Sequence, residues 1–113
     1  MSPHREKLER LLHQTQPRLA SRFRVEFKNV FGAVGGYVNG RIFVSCGKFG
    51  LALKLPPRTV EELLRKESGV KFLKYFTKGY VKKDYVVLPG RIIADKDQFR
   101  KLVNKSIRFV LEL

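Results

Sequence analysis

Val30-Phe31-Gly32-Ala33-Val34-Gly35-Gly36-Tyr37-Val38-Asn39-Gly40-Arg41-Ile42-Phe43 is the stretch whose reading decides the fold. Asn39-Gly40 stands between two runs of strand-forming residues, and Asn-Gly favours a two-residue turn because both of its central positions need positive φ. A turn of this kind fixes a register. Val38 then faces Arg41, Tyr37 faces Ile42, Gly36 faces Phe43 and Gly35 faces Val44, so each glycine lies beneath a large side chain of the neighbouring strand.

Working outward, Phe23, Val25 and Phe27 alternate with Arg22, Arg24, Glu26 and Lys28, the pattern of a half-buried strand. After the hairpin, Gly47-Lys48-Phe49-Gly50 makes another turn, and Leu51, Leu53 and Leu55 alternate with Ala52 and Lys54 until Pro56-Pro57 ends the run. Ser2-Pro3 is a helix entry, Leu8, Leu11 and Leu12 form an apolar stripe, and Pro17 closes that helix. Thr59 with Glu62 reads as a capping box for a second helix that ends at Gly69. Phe72 to Phe76 and Tyr80 to Leu88 read as extended segments, closed by Pro89-Gly90. Asp95 with Gln98 opens a last helix whose Phe99, Leu102, Val103, Ser106, Ile107 and Val110 share a face opposite Lys101, Lys105 and Arg108.

The expected fold is therefore α+β: a two-layer antiparallel sheet with helices on one face, in the order helix, three strands, helix, two strands, helix. The 113 residues make a single domain, large enough to bury its own core. The hairpin carries apolar groups on both faces, Tyr37, Ile42 and Val44 on one and Val34, Val38 and Phe43 on the other. This leads to the expectation of a homodimer that buries Val34, Val38 and Phe43 on the sheet side away from the helices.

Enzymatic signatures are lacking, and the expectation is that the chain is not an enzyme and uses no cofactor. Gly47-Lys48 is not a Walker A loop, since Ile42 occupies the position of its first glycine and Phe49 follows the lysine. Cys46 is the only cysteine and has histidines only in the first helix, at His4 and His13; no metal-ligand spacing surrounds any of the three. The pairs Glu61-Glu62 and Asp95-x-Asp97 lie in first turns of helices, where carboxylates favour the dipole. A single thiol, no apolar run long enough for a membrane span and a charged N-terminus suit a cytoplasmic protein.

What remains is charge. Lys+Arg is 24 against Asp+Glu 10, a formal net charge of +14, which makes polyanions the first partners to consider. Lys71, Lys74, Lys78, Lys82 and Lys83 interleave with Phe72, Tyr75, Phe76, Tyr80 and Tyr85, and lysines can neutralise phosphates while rings stack bases. The Lys101, Lys105, Arg108 face of the last helix is a second candidate nucleic-acid contact. The bland alternative is core aromatics with solvated lysines.

The same residues resemble the TfoX N-terminal domain family. Phe31-Gly32, Gly35, Tyr37, Asn39-Gly40 and Phe43 stand where that family has Phe-Gly, Gly, an aromatic residue, Asp or Asn with Gly, and Phe. Leu53-Lys54-Leu55 resembles the following strand, and Phe72 with Tyr85 to Leu88-Pro89 resembles the later part. Val30 replaces a frequent methionine, and Ala33-Val34 replaces a Gly-aromatic pair. The resemblance implies a two-layer α/β fold and a small regulatory or adaptor role, and the basic surface adds the expectation that it engages a nucleic acid or an acidic protein. The longer competence regulators of the family carry a second domain, and what depends on that domain is not implied here. The competing expectation is a protein-binding module with no nucleic-acid role.

Overall fold

The structure is a computed structural model that describes residues 3–30, 32–75 and 80–113, with the side chains of residues 30, 74, 75 and 80–83 left aside. Helices α1 (Pro3–Thr15) and α2 (Leu19–Arg22) precede four strands, β1 (Val25–Val30), β2 (Ala33–Val38), β3 (Arg41–Gly47) and β4 (Gly50–Lys54). Helix α3 (Pro57–Lys66), strands β5 (Lys71–Tyr75) and β6 (Tyr80–Leu88) and helices α4 (Gly90–Ala94) and α5 (Lys96–Leu111) complete the chain. The strands form one antiparallel sheet in the order β1-β2-β3-β4-β6-β5. The α+β class with helices on one face is as expected. The Leu51–Leu55 alternation adds a fourth strand before the middle helix, and two helices of four and five residues, too short to carry a period, extend the helical layer. The second of these includes Arg91, which donates to the Ser68 carbonyl and lies 3.6 Å from Glu67.

Asn39 and Gly40 both have positive φ, 49° and 82°, as the turn requires. The Asn39 side chain also accepts from the Arg24 backbone N–H at 3.0 Å, tying the turn to the start of β1. Val38 pairs with Arg41 and Tyr37 with Ile42 as expected, and then the register slips: Gly36 pairs with Val44, Gly35 with Ser45 and Val34 with Cys46. Phe43 is the extra residue of a β-bulge. Alternation cannot reveal it, because the bulge sends two consecutive apolar residues, Phe43 and Val44, into the same core. The buried Ser106 hydroxyl of α5 donates to the Phe43 carbonyl at 2.8 Å, which satisfies an acceptor where the ladder is broken.

Packing of the sheet against the helices overturns the expected dimer surface. Val34, Val38 and Phe43 are 1%, 0% and 0% exposed, packed with Leu8 and Leu12 of α1 and with Phe99, Val103 and Ile107 of α5. They lie on the helix side of the sheet, where the chain itself covers them; burial of each contributes roughly 1.5–3 kcal/mol. The opposite face has its own small cluster of Ala52, Leu73, Tyr85 and Val87 with Ile42 and Phe49 against it, and no helix residue belongs to it. Lysines flank that cluster: Lys28 Nζ lies 5.1 Å from the Tyr37 ring, and Lys54 Nζ lies 5.8 Å from the Tyr85 ring and 3.7 Å from Asp84.

Two sequence assignments shift. The strand expected from Arg22 starts at Val25, because Arg22 completes the turn of α2. Thr59 is not an N-cap: Pro57 takes the first position of α3, where its missing N–H costs nothing, and leaves Thr59 buried inside the first turn. Asp95 does cap α5, accepting from the Gln98 N–H at 3.2 Å. The expected cap Ser2 lies outside the described residues.

Candidate functional site

Pro17 prevents α1 from continuing, and the chain turns a corner through Gln16-Pro17-Arg18 into the single turn of α2. Leu19 N–H donates to the Gln16 carbonyl at 3.1 Å and Phe23 N–H to the Leu19 carbonyl at 3.0 Å, so Arg18 and Arg22 project from a closed corner rather than a loose loop. Across from it, α5 places Arg100, Asn104 and Arg108 at i, i+4 and i+8, one stripe of a helix whose other side is sunk in the core. Gln16 Nε2 bridges the two walls, donating to Asn104 Oδ1 at 2.8 Å and to the Arg100 carbonyl at 3.4 Å.

Between the walls runs an open cleft of about 770 Å³, floored by Leu19, Phe23, Ile107 and Leu111 and rimmed by Arg18, Arg22, Arg100 and Arg108. Every charged side chain lining it is an arginine. Guanidinium groups are planar, always charged and able to bind phosphate or carboxylate through two N–H groups at once. Arg100 holds Asp97 at 2.9 Å, and Arg22 lies over the Phe23 ring with its guanidinium carbon 5.5 Å from the centroid. Arg18 and Arg108 have no acidic partner among the described residues. A smaller cleft of about 180 Å³ on the other side of Pro17 is mostly apolar and includes Glu9, which pairs with Arg5 at 3.0 Å.

Of the site residues expected from sequence, only Arg108 lines the large cleft; Lys101 and Lys105 are exposed beside it on α5. Lys71 is exposed on the outer face of the sheet, since its partner Val87 belongs to the outer cluster. Lys78, and the side chains of Lys74, Lys82 and Lys83, lie outside the described residues. The two basic segments therefore do not converge: one is on the helical layer and the other, as far as Lys71 reports it, is across the sheet. Gly32, Gly35, Gly36, Tyr37, Asn39, Gly40 and Phe43 build the hairpin and its bulge, and Phe31 lies outside the described residues. Arg18, Arg22, Arg100, Gln16 and Asn104 escaped the sequence reading. The four-residue spacings were visible, but their meeting across the cleft is a tertiary fact.

Cys46 is buried on β3, and burial pushes its thiol up from the ordinary value against a smaller opposing effect of Lys7. Among the described residues, no group of three or more His, Cys, Asp or Glu side chains could hold a metal ion, and no helix is long and apolar enough to cross a membrane.

The family model of the TfoX N-terminal domain matches residues 18–110, which takes in all four cleft arginines and Asn104 and leaves Gln16 just outside. No curated protein and no solved structure matches the chain.

Proposed function

The chain belongs to the TfoX N-terminal domain family, and from that premise we propose that it is a small, non-enzymatic regulatory or adaptor domain of the cytoplasm that contacts nucleic acid through phosphates. The observation that carries this reading is the arginine-lined cleft, continuous along α5 with the exposed Lys101 and Lys105. Six cationic side chains lie along this surface, Arg18 and Arg22 on the corner and Arg100, Lys101, Lys105 and Arg108 on α5, and among the described residues only Arg100 pairs with a carboxylate, Asp97; such a surface is favourable for a chain of phosphates and unfavourable for another cation. The net charge of +14 adds a long-range attraction that raises encounter rates at low salt.

The apolar floor of the cleft favours a second reading, an acidic protein segment whose carboxylates meet the arginines while an apolar side chain fills the floor. Salt separates the two. Anisotropy of a labelled oligonucleotide should give a log–log salt slope of about −0.7 per phosphate neutralised on a single strand. Neutralising Arg18, Arg100 and Arg108 together to Gln should remove about two units of that slope. Neutralising Lys7, Lys48 and Lys66, a change of equal charge on exposed positions away from α5, should remove much less. Equal losses from the two triples would mean diffuse attraction and no nucleic-acid site in the cleft.

A further inference from the structure

We infer that the cleft accepts a single strand, with an unpaired base stacked against Arg22 and its phosphates on Arg18, Arg100 and Arg108; this deepens, and rests on, the nucleic-acid reading above. A duplex hides its bases in the stack and presents phosphates outward, so it has nothing to place on a recessed apolar floor. A single strand offers both a charged backbone and apolar ring faces, which is what a basic rim over an apolar floor complements.

Two details of the cleft suit a base. The Arg22 guanidinium lies over the Phe23 ring at 5.5 Å. An exposed guanidinium within cation–π range of one ring is still free to lie against a second, so Arg22 can sit between Phe23 and a base. The Gln16–Asn104 bond uses Asn104 Oδ1 as acceptor and Gln16 Nε2 as donor. It leaves the Asn104 amide N–H groups as donors beside Gln16 Oε1 as an acceptor, the donor-acceptor pairing that a base edge requires. Charge alone would need neither feature.

The test compares three labelled ligands: a single strand of about 12 nucleotides, within the span of one small binding domain, the same strand without its bases, and the duplex the strand forms with its complement. The base-bearing strand should bind about tenfold or more tightly than the abasic strand, the contribution of one or two stacked bases. Arg22→Lys keeps the charge and gives up the planar group; it should weaken the base-bearing strand and leave the abasic strand unchanged. Arg22 is exposed, so a thermal melt equal to that of the unaltered protein is expected to accompany this loss. If abasic strand or duplex binds as tightly as the base-bearing strand, or if Arg22→Lys weakens all three alike, the single-strand inference is overturned while phosphate binding stands. If none of the three shows salt-dependent binding, or a polyglutamate peptide of matched charge displaces the strand and binds more tightly, the nucleic-acid reading itself fails.

Discussion

A β-carbon on Gly36 would lie 2.6 Å from Val44 Cγ1, well inside non-bonded contact distance, and 3.6 Å from the Phe27 ring. Gly36→Val should therefore destabilise the domain by about 1–3 kcal/mol through overpacking, measured as a lower midpoint of chemical unfolding with an unchanged slope. The sequence led to the right glycine with the wrong neighbour: the facing residue is Val44 and not Phe43, because the bulge intervenes. Cys46 carries a different prediction. Burial disfavours the thiolate, so the folded thiol titrates above the ordinary cysteine range; below that range the thiol is protonated in both states and contributes no pH dependence. Above it the unfolded chain loses its proton first, and stability falls as pH rises. Cys46→Ala should flatten the decline of unfolding free energy as pH rises past the ordinary thiol range, although the smaller side chain lowers stability throughout. An equally steep decline in the variant would assign the alkaline loss to other groups.

Among the elements, those with a period or a strong terminator were legible. The five β-turns and helix stops at Pro17, Asn39-Gly40, Gly47–Gly50, Pro56-Pro57 and Gly69 are set by local chemistry, and the structure places element ends at each. The buried stripe of α5 comprises Phe99, Leu102, Val103, Ser106, Ile107 and Val110, as its spacing predicts. What escaped was either too short for a period, as in α2 and α4, or a competition between two valid signals. At α3 a capping pair and a proline both claimed the helix start, and proline prevailed because its fixed φ suits the first position. The contrast is testable. Asp95→Ala should cost about 1 kcal/mol by removing the cap of α5, whereas Thr59→Val should leave the melting temperature essentially unchanged. A cap-sized loss at Thr59 would contradict the Pro57 start.

At the scale of the molecule, geometry decides which charges can act together. Lys71 sits on β5 at one edge of the sheet, and Phe23 in the cleft floor lies two residues before the start of β1 at the other edge. Five strand spacings separate those edges, roughly 24 Å, against a Debye length of about 8 Å at physiological salt. Lys71→Glu should thus leave affinity for a strand in the cleft nearly unchanged, while Lys105→Glu, on α5 beside Arg108, should lower it; fluorescence titration at physiological salt checks both. Comparable losses would place the bound strand across the sheet. None of this separation could be read from sequence, where both segments are simply basic.

The Gln16–Asn104 bond joins residues 88 positions apart, and α5 both closes the cleft and plugs the bulge through Ser106. A ribosome delivers the chain from its N-terminus, so the first four strands emerge with Phe43, Val44 and Leu53 bare until the final helix arrives. Incomplete chains are consequently clients for chaperones and proteases. The arginine corner made early in synthesis has no opposite wall until α5 docks, so only finished molecules can compete for whatever the cleft holds.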